Sequence, residues 1–407
     1  MSMRKIVADR IGLISYAIRE LVPLAREMER KGEKVIYLNI GDPLKYDFDT
    51  PHHIKEALYE GTLKGYNYYS VSEGLDELRE AIAYKEKKFN GVDITAEEVI
   101  VTQGVSEAIA FIAATLLNSG DEILVPDPTY PLYQTYIRVF HGKPVFYGTI
   151  EENGWQPDID DIRSKISEKT KAIVIINPNN PTGSVYDEKT VKAILDVAAE
   201  HDIIVISDEI YDRIVFDATF KSTAALSKDV PIIGLNGFSK VYLMTGWRLG
   251  YMYVYDPTQK YRDILVSALV KMARCRLSAS TPVQYAGIAA IKGPQDHVKD
   301  MVAKIRRRRD YLYKRISEID GMSSILPKGA FYIFPNISRI EKDDKLFALK
   351  LLKEEKVLVV HGSGFGPSGA GHLRIVLLPP IELLEEAMSR IEHFIKKMYG
   401  NRVSKIN

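Results

Sequence analysis

The stretch LNGFSKVYLMTGWRLGY, residues 235–251, organises the interpretation of this chain. It continues the apolar run 232–235 and contains Lys240 and, eight positions further on, Arg248. A lysine at the end of a buried strand loses water, which lowers its pKa from about 10.4 and frees the amine to attack a carbonyl group. An arginine stays charged, and its planar fork suits a phosphate dianion. Together, the lysine and the arginine predict a ligand that carries both a carbonyl group and a phosphate, as pyridoxal 5'-phosphate does.

Length and composition set the class of protein. A chain of 407 residues is too long for one compact core, so two domains are expected. Its 46% hydrophobic and 27% charged residues are typical of a globular enzyme, and a net charge of +1 gives no reason to predict nucleic acid or an anionic membrane as a partner. A single cysteine excludes an internal disulfide, and no apolar run approaches the roughly 18 residues that span a bilayer. We therefore expect a cytoplasmic protein.

The middle of the chain alternates short apolar runs with helical patterns. Seven runs predict strands, at 99–101, 123–125, 145–147, 173–176, 203–206, 232–235 and 251–254. The runs are continuous rather than alternating, which indicates strands that are covered on both faces. The segments 106–117 and 189–200 are long enough for crossover helices. The pattern predicts an α/β fold with a largely parallel sheet.

The two ends of the chain have a different organisation. The first residues predict an arm, a short helix at 23–31 and a strand at 35–40. The C-terminal part predicts an α+β region, with strands at 330–334, 357–360 and 373–377 and helices at 302–319 and 345–355. We predict an arm and part of a small domain at residues 1–48, a large ligand-binding domain at 49–290 and a small C-terminal domain at 291–407.

Polar motifs follow several predicted strands, at the edge where open α/β sheets bind ligands. TQGVSE, residues 102–107, opens a helix whose first N–H groups can hold a phosphate, although a plain helix cap by Ser106 is the alternative. In DPTYP, residues 127–131, two prolines stiffen the turn, so Tyr130 can lie flat on a heteroaromatic ring. A core tyrosine is the alternative.

Three further motifs carry side chains with a chemical use. NPNNPTG, residues 177–183, presents amides in fixed directions. In SDEIY, residues 207–211, a buried Asp208 can keep a pyridine nitrogen protonated. Arg374 lies in an apolar strand, where it needs an anion such as a carboxylate; an internal ion pair is the alternative. No metal site is predicted.

The pattern Ser-Lys-x4-Thr-Gly-Trp-Arg-x-Gly at residues 239–250 resembles the cofactor attachment site of class I aminotransferases. The resemblance is to the I-gamma group and implies the pyridoxal-phosphate-dependent transferase fold of type I, with a large domain around a mostly parallel sheet and a smaller α+β domain. The segments LNIG at 38–41 and LNSGDE at 117–122, with the pair Tyr16 and Arg19, are most similar to microbial glutamate-pyruvate (alanine) aminotransferases.

The resemblance implies a role for each matching residue. The catalytic set is Lys240, Asp208 and Tyr211. The cofactor would be bound by Gly104, Val105, Ser106, Tyr130, Asn180, Asp208, Tyr211, Ser239, Lys240, Arg248 and Tyr69. The substrate would be bound by Gly41, Asn180, Arg374, Tyr16 and Arg19. Asn180 and Tyr211 would donate to the phenolic oxygen of the cofactor, Tyr130 would stack on its ring, and Arg374 would hold the substrate α-carboxylate.

The resemblance also implies a homodimer whose active sites are shared. Tyr66, Tyr68 and Tyr69 compete for the role of the tyrosine that reaches the phosphate of the neighbouring subunit. Counting back from Gly74 selects Tyr69.

The implied reaction is transamination between an amino acid and a 2-oxo acid, with L-alanine and 2-oxoglutarate as the expected pair. Arg19 is the hypothesis for a mobile cation that binds the second carboxylate of glutamate, and a surface arginine is the alternative. Three other functions remain open: an aspartate or aromatic (broad-range) aminotransferase, a β-eliminating lyase that uses the same cofactor, and a ligand-sensing domain without catalysis.

Overall fold

The apolar runs in the middle of the chain form the strands of an eight-stranded sheet in the computed structural model, which describes residues 6–403. The strands in chain order are β1 (Ile36–Tyr37), β2 (Val99–Thr102), β3 (Glu122–Asp127), β4 (Lys143–Ile150), β5 (Gln156–Pro157), β6 (Thr170–Ile176), β7 (Ile204–Asp208), β8 (Ile232–Gly237), β9 (Gly250–Tyr255), β10 (Tyr332–Ile333), β11 (Val357–Leu358), β12 (Val360–His361) and β13 (Leu373–Val376).

The α-helices in chain order are α1 (Ala17–Glu20), α2 (Val22–Arg30), α3 (His52–Leu63), α4 (Asp76–Lys85), α5 (Val105–Leu116), α6 (Pro131–Val139), α7 (Ile159–Lys165), α8 (Glu188–Glu200), α9 (Thr223–Leu226), α10 (Arg262–Arg276), α11 (Thr281–Lys292), α12 (Asp296–Ser317), α13 (Asp344–Glu355) and α14 (Ile381–Val403). A π-helical turn, Glu86–Asn90, continues α4. None of the helices within residues 6–403 is long and apolar enough to cross a membrane.

The large sheet has the order β2-β9-β8-β7-β6-β3-β4-β5. Its central neighbours, from β8 through β7, β6 and β3 to β4, are all parallel. β9 runs antiparallel to β2 and β8, and β5 runs antiparallel to β4. All seven strands predicted for the middle of the chain lie in this sheet, so the prediction of a largely parallel α/β fold is confirmed.

Burial on both faces explains why the runs are continuous. Along β6, Ile173 and Ile175 pack into one core cluster, while Val174 and Ile176 pack into the other. Successive side chains of a strand point to opposite faces of the sheet. A strand whose two faces are both covered must therefore be apolar at every position. Helices α7, α8 and α11 contribute to the first cluster, and α5, α6 and α10 to the second.

Some predicted elements differ from the structure. The strand predicted at 357–360 is two strands: β11 pairs in parallel with β1, and β12 pairs antiparallel with β13. The run is apolar throughout because both halves are buried, and its composition carries no sign of the change of partner. The strands predicted at 35–40 and 330–334 shorten to the two residues of β1 and β10. Helices α1, α6, α7, α9 and α11 were not predicted.

The pairing of β1 with β11 brings the N-terminal segment against the C-terminal region. A three-stranded sheet, β10-β13-β12, lies in the same region. The backbone that leaves β1 therefore runs towards the carboxyl edge of the large sheet, which places Gly41 near Tyr332 of β10. The division of the chain at residues 48 and 290 stays a prediction.

Candidate active site

The carboxyl ends of the parallel strands deliver the predicted residues to one cavity. Strands β3, β6, β7 and β8 end at the same edge of the sheet, where a cavity of about 520 Å³ opens. Most of the predicted site lines it: Tyr16, Arg19, Gly41, Val105, Ser106, Tyr130, Asn180, Asp208, Tyr211, Ser239, Lys240, Arg248 and Arg374. Gly104 lies against Arg248, at the wall of the cavity. Tyr69 does not line the cavity of its own chain.

Lys240 follows β8 and points towards the N-terminal segment. Its Nζ donates a hydrogen bond to the backbone carbonyl of Gly41 at 2.8 Å. Burial lowers the pKa of Lys240 to about 8, the carboxylate of Asp42 opposes this, and the charges of Arg248 and Arg374 add to the lowering. A substantial fraction of the amine is therefore neutral in mildly alkaline solution, as a nucleophile or general base requires.

Arg248 and Gly104 lie side by side at the cavity wall, where they suit an anion. A side chain at Gly104 would place its Cβ 2.4 Å from Nη2 of Arg248, and the φ of +81° at Gly104 also favours glycine. Gly104 is the residue before α5, so the arginine lies beside the free N–H groups of the first helical turn. No carboxylate within residues 6–403 forms an ion pair with Arg248, which donates instead to the carbonyls of Thr245 and Gln103.

Asp208 ends β7 in a buried position. Burial raises the pKa of its carboxyl to about 6, although two hydrogen bonds favour the ionised form. The hydroxyl of Tyr133 donates to Oδ2 at 3.0 Å, and the backbone N–H of Ile210 donates to Oδ1 at 3.3 Å. Sequence reasoning missed Tyr133, since its helix was not predicted and the tyrosine belongs to no recognisable motif.

Two tyrosine pairs flank the cavity. The hydroxyl oxygens of Tyr16 and Tyr130 are 3.1 Å apart, so the arm reaches the turn that precedes α6. The hydroxyl oxygens of Tyr211 and Tyr332 are 2.8 Å apart. Sequence reasoning also missed Tyr332, because in the predicted strand 330–334 it stands among apolar neighbours.

Arg374 is buried, and the hydrogen bonds from its Nη atoms go to uncharged groups. Its Nη1 donates to Oδ1 of Asn180 at 3.0 Å, and its Nη2 donates to the carbonyl of Asn39. The ring centroids of Tyr332 and Phe365 lie 4.4 and 5.0 Å from its guanidinium carbon. Its Nε has no hydrogen-bond partner, and no Asp or Glu in the described part of the chain forms an ion pair with it. A buried cation in this condition calls for an anion from outside the chain.

The residues proposed for substrate range and for dimer contacts are exposed. Arg19 lies in α1 at the rim of the cavity and forms no ion pair with the residues that the structure describes. Tyr69 has 79% of its surface exposed. The other two candidates make contacts within the chain: the ring of Tyr66 stacks on Tyr285 at 4.0 Å, and the hydroxyl of Tyr68 lies 3.5 Å from that of Tyr285.

A buried ionic network lies next to the site and was not predicted. Lys85 contacts Glu86 at 2.9 Å and Asp212 at 2.5 Å. Asn90 donates to both carboxylates, at 2.6 and 3.0 Å, and Asn236 donates to Asp212 at 2.9 Å. Because Asp212 follows Tyr211 and Asn236 lies at the end of β8, the network joins the segments that carry Tyr211 and Lys240.

Comparison with known proteins gives the family. Residues 33–391 match the family described as "Aminotransferase class I and II". The alanine aminotransferase structure from Pyrococcus furiosus superposes with a TM-score of 0.93 at 55% identity, over 96% of this chain and 100% of that one. The glutamate-pyruvate aminotransferase AlaA of Haemophilus influenzae is 38% identical, over 95% of this chain and 97% of its own length.

The aromatic-amino-acid aminotransferase 2 of Thermococcus litoralis is also 38% identical, over 96% of this chain and 98% of its own length. The family match covers well over half of the chain, and the fold, the strand-end motifs and the cavity agree with it. The chain therefore belongs to the class I and II aminotransferases.

Proposed function

We propose that this aminotransferase exchanges amino groups between L-alanine and 2-oxoglutarate, forming pyruvate and L-glutamate, with pyridoxal 5'-phosphate as cofactor. The observation that carries the proposal is that Lys240, with its lowered pKa, shares one cavity with Arg248 and Arg374, neither of which forms an ion pair with an acidic residue among residues 6–403. A phosphate, a carbonyl and a carboxylate can thus be held at once. The similarity to alanine aminotransferases supports the substrate pair.

The cavity residues fit pyridoxal phosphate, the cofactor used by this family. Arg248 and the first turn of α5 would hold the phosphate, with Ser239 nearby, and Tyr130 would cover the ring. Asp208 would hold the proton of the ring nitrogen. The bound cofactor supplies an electron sink that acidifies the Cα–H bond of an amino acid.

The protein side chains would then orient the substrate and move its proton. Arg374 would bind the α-carboxylate, which fixes the direction of the Cα–H bond. Lys240 would accept the Cα proton on Nζ and return it, and a pKa of about 8 suits both directions near neutral pH. Oδ1 of Asn180 is engaged by Arg374, so its Nδ2 is free to donate into the cavity together with the Tyr211 hydroxyl.

One experiment separates this function from the alternatives. Each of alanine, glutamate, aspartate, phenylalanine and tyrosine is offered with 2-oxoglutarate or pyruvate, and transfer of a labelled amino group is measured. Rapid transfer between alanine and 2-oxoglutarate is the expected result. A preference for aromatic donors would favour the activity named for the Thermococcus relative. A cysteine S-conjugate, which carries a leaving group on Cβ, tests the remaining alternative: release of pyruvate, ammonia and the thiol without an acceptor would indicate a β-eliminating lyase.

Arg19 is expected to control the use of glutamate. A buried cation fixed in the site would lack a partner whenever alanine is bound, at a cost of several kcal/mol. Arg19 avoids this cost because it is exposed at the rim and forms no ion pair with described residues. We expect Arg19→Ala to lower kcat/KM for glutamate and 2-oxoglutarate by about 10- to 100-fold, the loss of one charge-assisted hydrogen bond, and to spare alanine.

The matched control is Arg26→Ala, which removes an exposed arginine from the neighbouring helix α2. This variant should leave both substrates unaffected. Equal losses for alanine and glutamate in Arg19→Ala would contradict the role in substrate choice.

Tyr69 is proposed to complete the site of a partner subunit in a homodimer. Its exposed ring lies outside the cavity of its own chain, as this role requires. We expect Tyr69→Ala and Lys240→Ala chains to be impaired separately and to complement each other when mixed subunits reassemble. Half of a random mixture is heterodimer and one of its two sites is intact, so recovery should approach about a quarter of the wild-type activity.

Tyr68→Ala serves as the control in this mixing experiment, because the Tyr68 hydroxyl already faces Tyr285. Activity equal to the mean of the two parents, or a fully active monomer in sedimentation, would rule out the shared site. Complementation by Tyr68→Ala instead of Tyr69→Ala would transfer the role to Tyr68.

A further inference from the structure

The carboxylate of Asp208 has two protein donors within the described residues. The Tyr133 hydroxyl donates to Oδ2 at 3.0 Å, and the Ile210 N–H donates to Oδ1 at 3.3 Å. An ionised carboxylate has about four lone-pair positions, so about two stay free on a group that lines the cavity. Of these two bonds, the one from Tyr133 is the shorter, and its donor is a side chain.

Within residues 6–403, no cation assists this carboxylate. No Lys, Arg or His in the described part of the chain forms an ion pair with Asp208. The titratable groups that face it are the hydroxyls of Tyr133 and Tyr130, both from the side of α6. Its neighbours on the adjacent strands, Ile176 and Leu235, are apolar. The ionised state of Asp208 therefore depends on neutral donors.

The surroundings of Tyr133 keep its hydroxyl protonated, so that it can donate a hydrogen bond to Asp208. It is 2% exposed, and burial together with the adjacent Asp208 carboxylate raises the pKa of its hydroxyl well above 10. It lies in the first turn of α6, three residues after Tyr130, whose ring lines the cavity. One helical turn thus supplies the ring of Tyr130, which can cover the face of a planar ligand, and the hydroxyl of Tyr133, which binds the acid at the edge of that ligand, Asp208.

We propose that Tyr133 is a positioning residue of this enzyme: its hydroxyl fixes the orientation of Asp208 and keeps the carboxylate ionised, so that Asp208 can hold the proton of the cofactor ring nitrogen. The proposal rests on the cofactor assignment made above. It assigns to α6 a second function besides the support of Tyr130.

The proposal is tested first on the full-length chain without cofactor. Infrared spectra recorded across pH show the C=O stretch of a protonated carboxyl, and the band that is missing in Asp208→Asn belongs to Asp208. In Tyr133→Phe we expect the midpoint of this titration to rise by about one to two pH units, because a hydrogen bond to the charged form is lost. Tyr136→Phe, on the same helix, should leave the midpoint unchanged.

The second arm measures binding of pyridoxamine 5'-phosphate, whose amine does not react with Lys240. Tyr133→Phe should bind it about two- to tenfold more weakly than wild type at neutral pH, because a rise of one to two units from a pKa of about 6 lowers the ionised fraction of Asp208 from about 0.9 to between about 0.5 and 0.1. An analogue with carbon in place of the ring nitrogen should bind wild type and variant equally.

Each outcome has a separate meaning. An unchanged titration midpoint overturns the role of Tyr133 and leaves the cofactor assignment intact. Equal losses for pyridoxamine phosphate and the carbon analogue show a purely structural effect and also overturn it. If wild type does not bind pyridoxamine phosphate, the cofactor assignment fails, and the proposal fails with it.

Discussion

Replacement of Lys240 by alanine is expected to lower the rate of transamination by at least about ten-thousandfold, because nucleophile and general base are lost together. Lys240 alone carries an amine among the described residues that line the cavity. The other basic side chains there, Arg19, Arg248 and Arg374, are guanidinium groups, which do not act as nucleophiles or general bases and so cannot replace it.

The loss should not arise from unfolding. Burial lowers the pKa of Lys240 to about 8 in the folded chain, against 10.5 in the unfolded one. The unfolded state therefore binds the proton more tightly, and stability rises with pH between about 8 and 10.5 on account of this group. Below pH 8 a charged Lys240 costs stability, so the unfolding temperature of cofactor-free Lys240→Ala should equal or exceed that of wild type.

The measurement is borohydride reduction of the protein after incubation with pyridoxal phosphate. The cofactor absorbance and the mass of the denatured chain then show whether the cofactor is covalently bound. Wild type should retain the cofactor covalently after reduction, and Lys240→Ala should release it on denaturation. Lys260→Ala, which removes an exposed lysine paired with Asp202, is the control and should behave as wild type. Covalent retention by Lys240→Ala would transfer the attachment site to another lysine.

The parts of the molecule that could be predicted are those that short, contiguous segments of the sequence determine. Continuous apolar runs such as 173–176 identify doubly covered strands because both faces of β6 are buried. Motifs that follow those runs must lie at the carboxyl edge of the sheet, and Asn180, Asp208 and Lys240 do meet there. Chain connectivity and strand direction alone bring these residues together.

The parts that could not be predicted depend on contacts between distant segments. Tyr133 reaches Asp208 across 75 positions, and Tyr332 reaches Tyr211 across 121. Tyr332 occurs among apolar residues, and Tyr133 lies in a helix that was not predicted. In neither place does the local pattern distinguish a core side chain from a functional one. Gly104 is needed because Arg248 fills the space of its absent Cβ, which only the folded backbone reveals.

The network around Lys85 is another case of distant contacts. Lys85 and Glu86 lie in the stretch DELREAIAYKEKK, which suggests an amphipathic helix with its charged residues in water, and the burial of these two side chains has no local sign. The stretch is buried at this point because Asp212 and Asn236 approach it from the segments next to the active site. Burial alone would lower the pKa of Lys85, but the carboxylates of Asp212 and Glu86 raise it. Lys85 therefore stays charged inside the protein.

Lys85→Met is expected to destabilise the protein by about 3–5 kcal/mol, because it leaves buried carboxylates without their cation. Lys85 and Asp212 have side chains exposed by only 3% and 0%. In thermal unfolding of the cofactor-free protein, this should lower the unfolding temperature by about 4–6 °C for a chain of 407 residues.

Lys87→Met is the matched control for Lys85→Met, since it removes a lysine two positions away. Lys87 pairs with Asp93, but both side chains are mostly exposed, at 68% and 78%, and such pairs contribute at most about 1 kcal/mol. Asp212→Asn added to Lys85→Met removes one of the uncompensated charges and should recover part of the lost stability. If Lys85→Met and Lys87→Met unfold at the same temperature, or the second substitution adds to the loss, the network does not stabilise the protein through charge pairing.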